Sequence, residues 1–465
     1  MEGTTLIAIL DALLREATLF AAIWFLVGGL DDLLVDFVYG LRAARAWGRT
    51  WLYGPDETEA PPLPLPAGRI AVFVPAWQEA DVIGPMLRTA LARFDHPDYL
   101  IYVGTYPNDP ATIAAVADMA EADDRVRLVI GPREGPTTKA DCLNTLWRAL
   151  LRDEGDGEVL AVALHDSEDV VDPLELRLFA DRLARFDAVQ LPVMPLRKKG
   201  SPLVSGHYCD EFAEAHAKQL LVRQTLGAGI PFAGVGCAIR RGMLQRIADA
   251  RGGAPFDEAS LTEDYELGLT IAAMGGRTQF ARMRDRPYGR LIAVRAYFPD
   301  TTRAAVRQKA RWMTGIALAG WDRTGWGKAA RIGDHWMRMR DRRAVLEIPV
   351  LVFAYCALLL WGLSALSHAV AGGESAPLAP WMRGLIAINI ALLSWRVVVR
   401  AAFTGSAYGW RDALLSVPRI AVGNAIAMLA ARRAFFAYLR MLAGAVPQWD
   451  KTAHHFPDDP GRVAA

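Results

Sequence analysis

The sequence predicts an α/β protein in which a cytoplasmic, doubly wound sheet domain is flanked by transmembrane helices. Three observations predict this fold class. Short apolar runs alternate with segments of helical spacing over residues 69–165. Long apolar segments stand before and after this region, and arginines cluster beside each of the predicted spans. Alternating strands and helices with short connections are typical of a parallel sheet covered by helices on both faces.

The predicted strands and helices follow one another in a regular order. Each strand is a short apolar run, and each helix has apolar residues at helical spacing. The strands are residues 69–75, 99–104, 126–130 and 159–165, and the helices are residues 80–94, 111–122 and 139–152. Ligands of such sheets bind outside the carboxyl ends of the strands, so the residues after each strand are the candidates for function.

The long apolar segments predict the membrane-embedded part of the chain. They are residues 17–30, 344–370, 382–399 and 412–443. The first is long enough to span only if it extends back towards residue 6, through Asp11, Arg15 and Glu16. We interpret the first as an anchor rather than a signal peptide, because it has no basic n-region and no small-residue cleavage site. Residues 32–49 alternate apolar and charged residues, as an interfacial helix does. The last segment carries Arg419, Arg432 and Arg433, so we expect an amphipathic or re-entrant helix there, with a fourth span as the alternative.

The arginines also predict the topology. Their placement puts the sheet domain and the C-terminus on the cytoplasmic side of a membrane, with the loop 371–380 outside. We therefore divide the chain into an anchor and interfacial helix (1–50), a linker (51–68), a catalytic domain (69–330), transmembrane and interfacial helices (331–445) and a cytoplasmic tail (446–465).

Composition excludes several classes of function. The formal net charge over 465 residues is only +1, so we expect no nucleic-acid partner. Hydrophobic residues make up 52% of the chain, which favours a lipid bilayer as a partner. The four cysteines have neither C-x-x-C nor Cys/His spacing, which argues against a zinc site and against a disulfide framework.

An acidic cluster follows the fourth predicted strand. Asp166 and Glu168 are two residues apart and project to one face of an extended chain, and Asp169 is adjacent. Such carboxylates can hold Mg²⁺ or Mn²⁺ against a nucleotide diphosphate, because these cations take oxygen ligands. The alternative is a solvated loop that caps the helix after Pro173.

A second pair of carboxylates, Glu263 and Asp264, precedes an apolar helical run. Asp264 is the candidate general base, since an acceptor hydroxyl that attacks an anomeric carbon must lose its proton. The alternative is a helix cap at Thr262.

A third motif consists of Gln308, Arg311 and Trp312, which share one face of a predicted helix. Arg can bridge a diphosphate with its planar fork, Gln can form hydrogen bonds, and Trp can support a sugar ring. The alternative is a basic and aromatic interfacial helix beside the membrane.

Two further segments are candidate ligand contacts. Lys139 stands at a strand-to-helix turn, where it would attract phosphate, or it is a solvated surface lysine. Residues 232–241 form a small-residue loop, in which Gly236 and Cys237 would let an acceptor approach the backbone, or it is only a tight turn.

In this order and combination, the motifs resemble the inverting glycosyltransferases of family 2, which include cellulose, chitin and hyaluronan synthases. Val74-Pro-Ala-Trp-Gln-Glu79 is similar to the family's V-P-A-x-N-E, and Lys139-Ala-Asp-Cys-Leu-Asn144 to its K-A-x-x-L-N. Asp166-Ser-Glu168 takes the place of D-x-D, Thr262-Glu-Asp264 matches T-E-D, and Gln308 to Trp312 matches Q-x-x-R-W. Residues 106–112, 165–169 and 448–456 are similar to a bacterial branch known as phage adsorption protein B.

The resemblance implies a GT-A-like fold and assigns roles to the matched residues. The implied nucleotide-sugar contacts are Pro75, Glu79, Asp109, Lys139, Asn144 and Asp166; the metal ligands are Asp166, Glu168 and Asp169; the catalytic residues are Asp264, Glu263, Gln308, Arg311 and Trp312. Gly104-Thr105 departs from the family, which usually carries an Asp there for uracil. The branch often has a C-terminal regulatory domain, which we do not expect here because the sequence ends soon after His455.

The motifs and the resemblance together predict a membrane enzyme that transfers a sugar from a nucleotide-sugar, expected to be a UDP-sugar, to a saccharide. Polysaccharide synthesis, with an outer-membrane or periplasmic partner for export, would follow from the same interpretation. Two alternatives stay open: single addition to a lipid-linked acceptor, and a catalytically silent membrane protein that only binds a ligand or partner.

Overall fold

A computed structural model of the chain describes residues 2–53, 68–153, 159–286, 289–373, 377–445 and 455–459. Most of the predicted linker and most of the predicted tail lie outside these residues. The strands are β1 (Arg69–Pro75), β2 (Tyr99–Thr105), β3 (Val126–Ile130), β4 (Val159–Leu164), β5 (Ala188–Gln190), β6 (Val193–Leu196), β7 (Cys237–Arg240), β8 (Thr278–Phe280) and β9 (Val294–Tyr297).

The helices occur both within the sheet domain and on either side of it. They are α1 (Glu2–Tyr53), α2 (Ala80–Arg93), α3 (Pro110–Ala122), α4 (Lys139–Asp153), α5 (Glu175–Leu183), α6 (Val204–Glu214), α7 (Leu220–Thr225), α8 (Arg241–Ala250), α9 (Glu263–Ala273), α10 (Thr302–Trp312), α11 (Gly320–Thr324), α12 (Ile332–Arg342), α13 (Ala344–Ala371), α14 (Pro380–Tyr408) and α15 (Trp410–Leu442). Two π-helical turns, Ala215–Gln219 and Met313–Ala319, follow α6 and α10.

The central sheet confirms the predicted α/β class. Its strand order is β3-β2-β1-β4-β7-β5-β8. β1 pairs in parallel with β2 and β4, and β2 pairs in parallel with β3. The sheet is mixed rather than parallel throughout, because β7 runs antiparallel to β4 and to β5. β6 and β9 form a separate parallel pair.

Helices cover both faces of the sheet, which explains why β1 is an uninterrupted apolar run. Successive residues of a strand point to opposite faces, so Val72 packs against the α2 side and Phe73 against the α4 side. Trp147 of α4 is completely buried in the hydrophobic cluster on the α4 side of the sheet, together with Phe73. Truncating such a side chain to Ala typically costs about 3–5 kcal/mol, so the position of α4 is strongly fixed.

The predicted anchor and interfacial helix form one continuous helix, α1. It packs along α13 and α14. Among its charged residues, Asp11 accepts hydrogen bonds from Ser364 and His368 of α13, at 2.5 and 2.9 Å, whereas Arg15 and Glu16 are exposed and pair with each other. Beyond the other end of the apolar segment, Asp32 accepts a hydrogen bond from Arg343 at 2.7 Å. About 30 Å of helix separates the two aspartates, which matches the hydrocarbon core of a bilayer.

Three described helices, α13, α14 and α15, are long and apolar enough to cross a membrane. The contacts of α15 add to this finding. Near its start, Asp412 accepts a hydrogen bond from Arg197 at 2.8 Å, and near its end Tyr438 donates to Asp322 at 2.9 Å. Because both ends of α15 contact the sheet domain, the contacts favour the predicted amphipathic or re-entrant helix over a fourth membrane span. The crossing stays the alternative that length and composition permit.

Candidate active site

One pocket brings together residues that are far apart in the sequence. It is lined by nine of the predicted site residues, namely Lys139, Asp166, Glu168, Asp169, Glu263, Asp264, Gln308, Arg311 and Trp312. They come from the start of α4, the loop after β4, the start of α9 and the end of α10. The ends of β1 to β4 and the N-termini of the following helices meet at this edge because the strands are parallel.

Asp264 has one carboxylate oxygen fixed and the other facing the pocket side. Its Oδ1 accepts the backbone N–H of Tyr265 at 2.8 Å, in the first turn of α9. Oδ2 lies against Gly234, where an added Cβ would stand 2.7 Å from it. The helix-cap alternative is wrong for Thr262, since its hydroxyl caps nothing and is buried without a hydrogen-bond partner among the described residues.

Three carboxyl groups close to one lysine determine the electrostatics of the pocket. Burial raises the pKa of Asp264, and the nearby Lys139 partly opposes this. Burial and the charge of Asp264 raise the pKa of Glu263 to about 7. Lys139 pairs with Asp166, and although burial opposes it, the carboxylates of Asp166, Glu263 and Asp264 keep the pKa of the lysine above its ordinary value. Lys139 is therefore a cation held inside an acidic site.

Asp169 is held by hydrogen bonds within its own loop. Its Oδ2 contacts His165 Nδ1 at 2.9 Å and accepts the backbone N–H of Asp166 at 3.0 Å. No group of three or more His, Cys, Asp or Glu side chains among the described residues is placed to hold a metal ion. The metal-ligand role of Asp166, Glu168 and Asp169 therefore stays a prediction, and one oxygen of Asp169 is already engaged.

Gln308, Arg311 and Trp312 lie on the pocket side of α10, while Ala310 packs against α15. The Oε1 atom of Gln308 is buried without a partner in the described part of the chain. Trp312 meets Tyr208 edge to face, with ring centroids 6.2 Å apart. The helix therefore has two faces. One packs on α15, and the other supplies polar and aromatic groups to the pocket.

Pro75, Glu79 and Asp109, three of the residues predicted to contact the nucleotide, lie beside one another but are not among the residues that line this pocket. Asp109 accepts the N–H of Gln78 at 2.6 Å and the N–H of Thr112 at 3.3 Å, while Glu79 donates its N–H to the Thr112 hydroxyl at 2.9 Å. These bonds tie the ends of β1 and β2 together next to Pro75. The carboxylate of Asp109 therefore orders the loops rather than pointing freely to a ligand.

Three predicted residues have structural surroundings. Asn144 is completely buried, and its amide bonds to the backbone of Phe256 at 2.8 and 3.0 Å. Gly236 donates its N–H to Leu164 at 3.0 Å, and Cys237 is buried in β7, where burial raises the pKa of its thiol. Ala233 and Val235 line the pocket in their place. The small-residue loop does reach the site, but through positions other than those we predicted.

Several pocket residues were missed by sequence reasoning. They are Lys198, Phe212, Ser260, Phe298, Asp300 and His455. Lys198 and Asp300 form an ion pair at 2.7 Å. Phe298 and Asp300 directly follow β9, so the rule that ligands lie after strand ends would have found them, had this short strand been recognised.

Comparisons with known proteins show which family the chain resembles. A family model described as "Glycosyltransferase like family 2" matches residues 66–315. Two curated relatives, Bacteriophage adsorption protein B of Escherichia coli (strain K12) and Bacteriophage N4 adsorption protein B of Escherichia coli O157:H7, are each 34% identical to the chain. Each match covers 96% of this chain and 63% of the relative, so the chain spans less than two thirds of their length.

A solved structure supports the fold independently. The mannosyltransferase PcManGT from Pyrobaculum calidifontis, in complex with GDP-Man and Mn²⁺, matches with a TM-score of 0.55 and 19% identity. The match covers 92% of this chain and 99% of that chain, and at this identity it shows the fold alone. Because the family model covers more than half of the chain, and the fold is GT-A-like, the protein belongs to the glycosyltransferase-like family 2.

Proposed function

We propose that the protein is an inverting glycosyltransferase that moves a sugar from a nucleotide-sugar, expected to be a UDP-sugar, to a saccharide acceptor at the bacterial inner membrane. One observation carries this proposal: Asp264, Lys139 and Arg311 meet in a single pocket, together with the Asp166–Glu168 pair. A base, cations for a diphosphate and carboxylates for a metal are the groups that such a transfer needs.

The chain's own residues supply the base and two of the cations that a single displacement needs. The acceptor hydroxyl attacks the anomeric carbon, its proton passes to Asp264 Oδ2, and the bond from that carbon to the diphosphate oxygen breaks. The negative charge that develops on the nucleoside diphosphate meets Arg311 and Lys139. Within the described residues no hydrogen bond or ion pair engages the Arg311 guanidinium, so this group is available to a ligand.

The acidic residues of the pocket suit a divalent cation. Asp166, Glu168, Glu263 and Asp264 bring four carboxyl groups, while Lys139 and Arg311 bring two cations, so a Mg²⁺ or Mn²⁺ ion would balance the excess of negative charge. Asp166 and Glu168 offer the oxygen ligands that these ions prefer. The metal, when bound, would stabilise the leaving diphosphate. The related fold of the mannosyltransferase was solved with Mn²⁺, which supports this assignment.

The acceptor side of the pocket favours a saccharide. Trp312, Phe298 and Phe212 form an aromatic wall there, with Phe212 and Phe298 rings 4.8 Å apart. Aromatic rings pack well on the apolar faces of sugars. The long apolar helices next to this wall fit a product that enters the membrane, with a periplasmic or outer-membrane partner beyond it.

Turnover of nucleotide-sugars by the purified protein tests the proposal. The full chain in detergent would be offered a panel of UDP- and GDP-sugars with Mg²⁺ or Mn²⁺, and nucleoside diphosphate release would be measured with and without oligosaccharide or lipid-linked acceptors. We expect release with at least one donor, and Asp166→Asn should abolish it together with metal-dependent UDP binding in calorimetry. UDP binding without turnover of any donor would instead favour the silent binding protein.

A further inference from the structure

A buried chain of charged side chains lies directly behind the Asp166–Glu168 pair. His165 is completely buried, with Nδ1 2.9 Å from Asp169 Oδ2 and Nε2 2.7 Å from Glu175 Oε1. Both ring nitrogens therefore have a buried carboxyl group as hydrogen-bond partner, and the ring bridges Asp169 and Glu175.

The chain continues from His165 in both directions. On one side, Asp169 Oδ2 also accepts the backbone N–H of Asp166 at 3.0 Å. On the other, Glu175 Oε2 accepts the N–H of Asp172 at 3.1 Å. The carboxylate of Asp172 pairs in turn with Arg290. The whole loop between β4 and α5 is thus held by charged groups that solvent hardly reaches.

From this geometry we propose that His165 is a positioning residue, which fixes the loop that presents Asp166 and Glu168 to the divalent cation. His165 directly precedes Asp166 in the chain, and Asp169 links the two a second time, because one of its oxygens bonds both to the ring and to the Asp166 backbone. Asp169 thereby has a role that the metal-ligand prediction had missed. The inference rests on the proposed function, since it concerns how the carboxylates meet the metal.

The consequence of losing the ring follows from burial. Without it, Asp169 and Glu175 would be two buried carboxyl groups that have lost a hydrogen-bond partner, and a buried polar group without its partner is unfavourable. The loop would relieve this by moving or by drawing in water, and the backbone N–H of Asp166 would lose its fixed acceptor. Mn²⁺ affinity should therefore fall, whereas the overall fold should be retained.

Mn²⁺ binding to the full chain in detergent, measured by calorimetry in the presence of UDP, tests the inference. His165→Gln should raise the dissociation constant for Mn²⁺ at least tenfold, which is the effect typical of losing a group that orients a metal ligand. Under saturating Mn²⁺ and donor, kcat should fall much less than that. The matched control is Val162→Ala, which removes buried apolar volume from β4, the strand that directly precedes His165, without changing the charged chain.

The design includes a rescue. His165→Gln combined with Glu175→Gln removes the ring together with one of the two carboxyl groups that would lose their partner, so this double variant should recover part of the lost Mn²⁺ affinity. If His165→Gln does not fold, Glu175→Gln alone decides, and it should weaken Mn²⁺ binding about threefold or more by loosening the ring.

The outcomes distinguish a failure of the proposed function from a failure of the positioning role of His165. If the parent protein binds no Mn²⁺ with UDP, the proposed metal-dependent function fails and the inference fails with it. If the parent binds Mn²⁺ and His165→Gln changes the affinity no more than Val162→Ala, only the positioning role is overturned. Equal melting temperatures for the two variants, with Mn²⁺ affinity lost in His165→Gln alone, would support it.

Discussion

Substitution of Gly234 by Ala tests whether Asp264 is the base. Gly234 has a φ of +77°, and an added Cβ would lie 2.7 Å from Asp264 Oδ2 and 3.3 Å from Lys139 Nζ. Ordinary contact begins at 3.4 Å, so the carboxylate must retreat by about 0.7 Å. Misplacement of a reacting group by this amount can lower a rate substantially, and we expect kcat to fall about 10- to 100-fold.

The left-handed backbone at Gly234 has its own cost, which a second glycine isolates. Gly227 has a φ of +66° and no atom within 4 Å of an added Cβ. Both alanine variants should lose about 1–2 kcal/mol of stability from backbone strain. Only Gly234→Ala should lose kcat, measured as nucleoside diphosphate release at saturating donor. If the two variants turn over within twofold of each other, the crowding argument is wrong and the base lies elsewhere.

Three further predictions use the same assays or simple labelling. Asp264→Asn should lower kcat by about 10²–10⁴-fold, the usual worth of a general base, and leave donor affinity in calorimetry nearly unchanged; a variant as fast as the parent would exclude this residue. Lys139 lowers the pKa of Asp264, so in Lys139→Met that pKa should rise and the acid limb of the kcat–pH profile should move to higher pH; a shift to lower pH contradicts the charge argument. Single cysteines at Ser375 and Asp450, both outside the described residues, should react with an impermeant thiol reagent in intact cells at the first position only, and the reverse pattern would invert the topology.

Local pattern predicted the first half of the sheet well. β1 to β4 and the helices between them form where the apolar runs and the helical spacing were found, because each element buries its own contiguous residues. The motif residues then converge because parallel strands bring their carboxyl ends to one edge. Even so, the pattern left β7 unrecognised, since this short strand follows a glycine-rich turn and its neighbours come from distant parts of the chain.

Side-chain partners were not predictable in the same way. Asp169 looked like a third metal ligand because it stands next to Asp166 and Glu168 in the sequence. Its actual partner, His165, bridges to Glu175, and only the turn between β4 and α5 brings these three groups together. Asn144 likewise matches a family motif, but its amide serves the backbone of Phe256. A motif fixes which residues are near a site, whereas their orientation depends on bonds that close over long sequence distances.

The attachment of the sheet domain to the apolar helices passes through the acceptor side of the pocket. Phe212, on the aromatic wall, belongs to α6. The end of this helix is fixed by Glu214, which pairs at 2.8 Å with Arg396 of α14 and at 2.8 Å with Lys218. Lys218, almost completely buried, pairs also with Asp36 of α1. Because a buried pair becomes strongly unfavourable when one partner leaves, α6 must stay in register with α1 and α14. On the proposed function, the wall that receives the acceptor is therefore held by the same helices through which a membrane product would leave.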